Sequence, residues 1–318
     1  MPKQRDASPL ALWTALGTVY LVWGSTYLAI AITLQTLPPL LSAGLRFLVA
    51  GLLLLGWIAL RRGPTLLRPR PAEIRGAAIV GLLLLVGGNG LVVLAERTVP
   101  SGLTALIVAS VPLWIVLLRH LAGDRIHLST AAGVAVGFAG VAFLVIPQIA
   151  SGADIGGLVT VLLATLSWAL GTFLSPRLGL PRDGLLSTGI QALTAGATLL
   201  VAGVVFGEAA HIDPATFSTR SIAALVYLVV FGSLVAFTAY GWLLQHTSVS
   251  LVATYAYVNP VVAVFLGFLI LAEPITPSIV IGAAIIIAAV AYIVQREGAR
   301  QRAARSQAAS GLSASEAD

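Results

Sequence analysis

Cysteine is absent from this 318-residue chain, and only one methionine and four histidines occur. The first absence excludes disulfide frameworks, thiolate metal sites, iron–sulfur clusters and cysteine nucleophiles, while leaving the compartment undecided. Charge is the second scarcity: 18 basic and 12 acidic residues make up 9% of the chain, against roughly 25% in ordinary soluble domains. So few charges cannot cover the outside of a water-soluble globule of this size, whereas lipid tails accept an apolar exterior. With 58% of residues hydrophobic, the solvent for most of the chain is a bilayer.

Apolar stretches of spanning length run over 11–32, 39–60, 74–95, 101–119, 128–146, 156–175, 185–207, 221–244, 249–271 and 277–295. Each crossing of a ~30 Å hydrocarbon core takes about 20 residues, so ten crossings leave only short loops and no sizeable extramembrane domain. The gaps hold charges or turn formers, such as Arg61-Arg62-Gly63-Pro64 and Pro181-Arg182-Asp183-Gly184. Runs such as Leu82-Leu83-Leu84-Leu85-Val86 do not alternate as barrel strands must, so the expected fold class is an all-α integral membrane protein. The first span, with Lys3 and Arg5 before it and Ala29-Ile30-Ala31 near its end, superficially resembles a signal peptide. At about 22 residues it is too long for a usual signal core, and it has a counterpart later in the chain. The segment 296–318, rich in Ala, Ser and Arg, is expected to be a disordered tail.

Basic residues near span ends are retained on the cytoplasmic side. Lys3, Arg5, Arg61, Arg62, Arg68, Arg70, Arg75, Arg119, Arg125, Arg177, Arg182, Arg296, Arg300, Arg302 and Arg305 fall in segments on one side, and only Arg97 and Arg220 on the other. Both termini are therefore expected in the cytoplasm. The net charge of +6 is topological, and no folded basic face exists for nucleic acid.

The chain repeats itself. Leu40-Leu41-Ser42-Ala43-Gly44-Leu45-Arg46-Phe47-Leu48-Val49-Ala50-Gly51 aligns with Leu185-Leu186-Ser187-Thr188-Gly189-Ile190-Gln191-Ala192-Leu193-Thr194-Ala195-Gly196 at an offset of 145, with seven of twelve positions identical. The same offset superimposes Trp23 on Trp168, and an offset of 148 superimposes Pro112 on Pro260. Spans 1–5 (residues 11–147, after an N-terminal segment 1–10) and spans 6–10 (155–295) read as two copies. Because five is odd, the second copy enters the membrane inverted. Such ten-helix inverted repeats have two related packings, one open to each side, with substrate near the midplane.

Several motifs now carry a resemblance. Trp23-Gly24-Ser25-Thr26-Tyr27, Ala43-Gly44-Leu45-Arg46-Phe47, Pro100-Ser101-Gly102-Leu103-Thr104-Ala105-Leu106-Ile107 leading to Val111-Pro112-Leu113-Trp114, and Tyr255-Ala256-Tyr257-Val258-Asn259-Pro260 with Glu273 after it together resemble the EamA family of the drug/metabolite transporter superfamily. The similarity covers about 11–295, and the specificity lies in the order of the motifs rather than in any one. It implies a multi-pass exporter of small metabolites or amino acids in a bacterial inner membrane, with a cavity between the halves. It does not identify the substrate. No partner beyond a small-molecule substrate and membrane lipid is called for, and a monomer is an expected state.

Arg46, about seven residues or ~10 Å into its span, is the strongest single signal, because an intramembrane arginine is costly unless accommodated. It faces a wet cavity, pairs with Glu96 at the end of the third span, or snorkels. Gln191 takes its place in the second copy. Polar and aromatic stripes recur at helical spacing: Tyr20, Trp23 and Tyr27; Thr165, Trp168, Thr172 and Ser175; Ser187, Gln191, Thr194 and Thr198; Tyr255 and Asn259. These faces line a path or glue helices together. Asn89 within Gly87-Gly88-Asn89-Gly90 either contacts a ligand or packs. Trp114 joins Trp23, Tyr27, Arg46, Asn89, Trp168, Gln191, Tyr255 and Asn259 as a candidate cavity residue. Pro112 and Pro260 are candidate hinges or static kinks.

Glu273 is expected to favour the N-terminal end of the tenth helix, with Asp124 matching it before the fifth. Gly133/Gly137 and Gly203/Gly207 fit close helix packing. No HExxH, paired intramembrane carboxylates or nucleophile motif appears, so neither a metal, a cofactor nor an enzyme is expected. Aromatic walls suit a ring-bearing or cationic solute, and Arg46 an anionic carboxylate. With no acidic residue in mid-span, facilitated export is the simpler expectation, and proton antiport through Glu96 its rival. A passive channel, a membrane-bound enzyme or a scaffold are further alternatives.

The orientation is directly testable because the chain lacks cysteine. In right-side-out vesicles, a cysteine replacing His211 is expected to react with impermeant maleimide, and one replacing Arg68 only after permeabilisation. The reverse pattern would invert the topology.

Overall fold

The structure, a computed structural model, describes residues 8–63, 68–124, 126–247 and 249–315. Lys3, Arg5, Pro64 and Arg125 lie outside them. Ten apolar helices follow in chain order: α1 Pro9–Thr33, α2 Pro39–Arg62, α3 Pro71–Ala95, α4 Ser101–Leu121, α5 Leu128–Ala150, α6 Ile155–Arg177, α7 Gly184–Val205, α8 Thr219–Leu243, α9 Tyr255–Leu271 and α10 Pro277–Ser315. No strand occurs among the described residues. All but α9 are long and apolar enough to cross a membrane; α9 is shorter because a turn at Ala253–Thr254 separates it from the four-residue helix Val249–Val252. Proline at the first turn of α1, α2 and α3 fixes a helical φ where its missing N–H costs nothing. Apolar side chains such as Leu60, Val201 and Phe265 stay exposed around the bundle, as lipid solvation permits.

Three departures from expectation have local causes. Beyond the apolar span, α10 continues to Ser315 instead of ending in a disordered tail, since the Ala, Arg and Gln of 301–309 are strong helix formers. Gly207 does not pack against a neighbour. It closes α7 at φ +82° with open space where a Cβ would sit, a left-handed terminator that glycine adopts without strain. Pro260 lies inside α9, and the interruption falls upstream at Ala253–Thr254. In α4 the break at Ala109–Ser110 does immediately precede Pro112, which has no N–H to continue the ladder.

The inverted repeat is visible in the packing of α2 on α7. A methyl group on Gly44 would strike Leu200, and one on Gly189 would strike Leu55; one on Gly51 would strike Leu193, and one on Gly196 the backbone of Leu48. Moving each helix by the 145-residue offset turns the first contact of each pair into the second, as a two-fold axis between the copies requires. Gly51 approaches the Leu193 backbone nitrogen at 2.8 Å, measured from where a Cβ would sit. Only hydrogen at these positions lets two backbones come so close, a device common where lipid gives no hydrophobic drive to association. The pairs α4–α9 and α5–α10 also cross between copies, while α1 packs on α8 and α9, and α6 on α3 and α4. Each copy's first helix is therefore clasped by the other copy.

Two π-helical segments, Leu82–Gly90 in α3 and Leu228–Val235 in α8, occupy equivalent places in the two copies. Widened turns loosen the regular ladder and leave carbonyls to side-chain donors. Here Leu83 O accepts from the Ser167 hydroxyl at 2.8 Å, and Gly232 O from the Trp23 indole N–H at 3.3 Å. In both cases the donor sits on the first helix of the opposite copy.

Replacing Gly51 or Gly196 by valine is expected to cost about 3 kcal/mol or more, because backbone rather than a flexible side chain must yield, while Gly184→Ala, with open space around it, costs little. Thermal unfolding of the purified protein in detergent checks this. A large difference between the two valine variants would contradict the two-fold relation.

Candidate functional site

Arg46 is 4% exposed, so its charge must be satisfied from within. Its Nε donates to the Ser233 hydroxyl at 3.1 Å and its Nη1 to the Asn89 amide oxygen at 3.4 Å; Cζ lies 4.9 Å from the Phe47 ring centroid. Both acceptors stand on the π segments, one from each copy. Gly232, beside Ser233, makes room: a methyl group there would meet Thr26 Cγ2 at 3.2 Å and Arg46 Nη2 at 3.3 Å. The ion pair with Glu96, one of the three alternatives for Arg46, does not form. Arg46 instead reaches along the bundle to neutral acceptors, and no described carboxylate pairs with it.

An aromatic box adjoins this cluster through Gly232. Trp23, whose indole binds Gly232 O, packs edge-on against Phe237 and Tyr255 with centroids 5.4 and 5.1 Å away, and against Tyr240 at 5.2 Å. Tyr240 and Tyr255 meet at 5.9 Å. With its amide nitrogen turned to the two carbonyls, Asn259 donates to Tyr255 O and Tyr20 O at 3.2 Å each, and the Tyr20 hydroxyl bonds that of Thr254. The result is one continuous polar and aromatic cluster drawn from α1, α2, α3, α8 and α9. Arg46, Thr33 and Ser42 also border a cavity of about 10 Å³ between α1, α2, α3 and α8, room for roughly one water.

The structure thus brings together Trp23, Arg46, Asn89, Tyr255 and Asn259. It leaves others apart. Trp114 packs edge-on against Phe138 of α5 at 4.8 Å, and its indole nitrogen has no partner among the described residues. Trp168 lies against Gly88, the two-fold mate of Trp23 on Gly232–Ser233. Gln191 donates to Ser187 one turn back, and its backbone packs on Gly81. The hydroxyls of Thr165, Thr172 and Thr198 bond carbonyls of their own helices, so these stripes neither line the box nor tie helices together through those groups. Tyr27 packs with the α2–α3–α7 core and lies within electrostatic reach of Glu96. Ser233, Phe237 and Tyr240 escaped the sequence reading, because an isolated serine in an apolar run carries no pattern.

Acidic residues serve as caps. Glu208 accepts from the N–H groups of Leu40 and Leu41 at the start of α2, at 3.0 and 2.9 Å. Glu273 caps α4, not α10: it accepts from Ser101 N and Oγ at 2.7 Å each and from Gly102 N at 2.9 Å. The turn at Ala272, with φ +55°, aims it there. Asp124 is held by Arg119 at 2.9 Å. Asp154 caps α6, and bonds from the Thr98 hydroxyl and the Gly157 and Gly156 N–H groups hold its carboxyl below the usual range, so the cap stays charged as pH falls. Glu96 is the exception: 8% exposed, with neither carboxyl oxygen hydrogen-bonded.

Residues 10–146 and 155–295 each match the model of the EamA-like transporter family. The chain belongs to that family. Two copies of the EamA unit in one chain agree with the two-fold packing of α2 on α7. Among relatives of this EamA-like transporter, the inner membrane transporter YedA of Escherichia coli (strain K12) is 41% identical over 263 residues, covering 81% of this chain and 82% of that protein. The transporter YvbV of Bacillus subtilis (strain 168) is 28% identical over 307 residues, 96% of each. A solved crystal structure, 22% identical, matches with a TM-score of 0.60 over 92% of this chain and 99% of its own, a likeness of fold. The EamA-like chain is a membrane transporter, and its relatives are named as transporters rather than enzymes.

Ser233→Ala removes the acceptor of Arg46 Nε without creating a large void. A buried charged donor left unsatisfied costs about 1–3 kcal/mol. Thermal unfolding is expected to show that loss, and Ser167→Ala, which frees only a neutral carbonyl, a smaller one.

Proposed function

We propose that this EamA-like transporter exports a small amphipathic metabolite, amino acid or drug-like solute by alternating access, with the cluster around Arg46 and Trp23 holding the substrate. One observation carries the reading: among the described residues, the hydrogen bonds of a buried guanidinium between the two copies go to the neutral Ser233 and Asn89. Neutral acceptors are weaker partners than a carboxylate, so an anionic group on a solute can replace them. The adjoining Trp23, Phe237, Tyr240 and Tyr255 offer an apolar wall to the rest of such a molecule. Asn259, its amide spent on two carbonyls, shapes that wall.

The cavity of about 10 Å³ beside Arg46 is too small for any solute, so on this reading the solute enters only when the copies repack. Inverted copies supply a physical route to that repacking, since the same contacts packed in the opposite sense open the opposite side. The breaks at Ala109–Ser110 and Ala253–Thr254 suit hinge positions. In its simplest form the cycle is facilitative, running down the solute's gradient across a bacterial inner membrane with both chain ends in the cytoplasm.

Vesicles carrying the purified protein and loaded with a metabolite mixture identify what leaves. Flux is expected to saturate and to accelerate with the same solute on the far side, which a channel does not do. Arg46→Ala should lower it by more than about tenfold, the loss of one charge-assisted contact, and Trp23→Ala several-fold. Trp114→Phe should leave it unchanged. Undiminished flux in both Arg46→Ala and Trp23→Ala would move the substrate elsewhere.

A further inference from the structure

Glu96 has no role in the site described above, yet it is the one buried carboxyl whose oxygens lack any donor among the described residues. It follows the last residue of α3, where unsatisfied carbonyls already give the helix end negative character. The groups facing it offer no cation. Tyr27 comes from α1 and Glu273 from the turn after α9, each near enough for its charge to be felt. Arg46 of α2 is committed to Asn89 and Ser233, Arg97 beside it is exposed, and Asp154 is occupied with Thr98, Gly156 and Gly157. Only the neutral acid fits such surroundings without a large desolvation cost.

Five residues further on, the same turn delivers Ser101 and Gly102 to Glu273. Glu273 belongs to the second copy and α4 to the first, so this cap is a bond between the copies. It is held by three donors, and it depends on Ala272 keeping a left-handed backbone that non-glycine residues rarely adopt. The two carboxyls thus have opposite surroundings: Glu273 accepts three hydrogen bonds, and Glu96 none.

We propose that Glu96 is a proton-binding site and that loss of its proton releases the Glu273 cap on α4, opening that end of the bundle. The proton on the Glu96 carboxyl leaves to water at that end. The resulting carboxylate, five residues before Ser101 and within electrostatic reach of Glu273, repels it, and the pair separates by withdrawing Glu273 from Ser101 and Gly102. This rests on the alternating-access reading and adds to it a pH-sensitive gate at that end of the bundle.

Single cysteines in the full-length protein in nanodiscs test it. Leu103, 3% exposed on α4 behind the cap, is replaced by cysteine, and its maleimide labelling rate is divided by that of Ala210→Cys in an exposed loop at the same end. That ratio is expected to rise at least about fivefold from pH 5.5 to pH 8, a shift in conformer population. It should stay low at both pH values in Glu96→Gln and high at both in Glu273→Gln. Melting of Glu96→Gln at the wild-type temperature at pH 5.5 shows that the fold is intact. In the unmodified chain, dicyclohexylcarbodiimide, which attacks protonated carboxyls in apolar surroundings, is expected to modify Glu96 and not Glu273. A flat ratio in the wild-type background, an equal rise in Glu96→Gln, or an unmodified Glu96 overturns the proposal. Arg46-dependent vesicle flux that persists in any of these cases leaves the transport reading standing.

Discussion

The close antiparallel approach of α2 and α7 sets the rest of the structure. In lipid, apolar side chains gain little by touching one another rather than the solvent, so helices associate through shape and through the few polar bonds available. Gly44, Gly51, Gly189 and Gly196 provide the shape, each admitting a leucine of the other helix or its backbone. Because the four positions are two motif positions used twice, the seam fixes the two-fold axis. Arg46, three residues beyond Ala43 on this motif and buried as a result, is presented to the opposite copy.

Polar groups elsewhere follow from the same scarcity of partners. In a bilayer each unsatisfied group costs several kcal/mol, and the acidic residues are placed where backbone N–H groups are free. Glu208 holds α2, Glu273 holds α4, Asp154 holds α6 and Asp183 holds α7. Two of these caps, Glu208 and Glu273, join one copy to the other at the end of the bundle that also contains Glu96. The seam fixes the middle of the molecule, and the caps tie the copies together at one end.

Much of this was legible before any coordinates. Span lengths follow from composition, and the glycines of the duplicated motif already mark where backbones approach. Arg46 stands out because charge is rare in apolar runs. What escaped the sequence was direction. Nothing in the run from Leu228 to Val235 distinguishes a π turn from an α turn, so Ser233 could not be matched to Arg46. Glu273 precedes α10 in the chain and reads naturally as its cap, but the left-handed Ala272 turns it toward α4. Trp114 shares a motif with Pro112, yet its ring packs on Phe138 of α5. Aromatic residues are legible as a class, and their grouping is set by tertiary packing that composition does not encode.

The matched wide turns in α3 and α8 have a geometrical consequence. Along a regular α-helix each residue advances about 100° around the axis, whereas a π turn holds more residues per revolution and so shifts the azimuth of everything after it. Asn89 and Ser233 sit late in their respective wide segments, and both meet the guanidinium at that shifted azimuth. Straightening either segment would rotate its polar group off the arginine without breaking the chain or tilting the helix. The buried guanidinium is thus framed by helical phase, and each half of the protein holds one adjustable jaw of the frame.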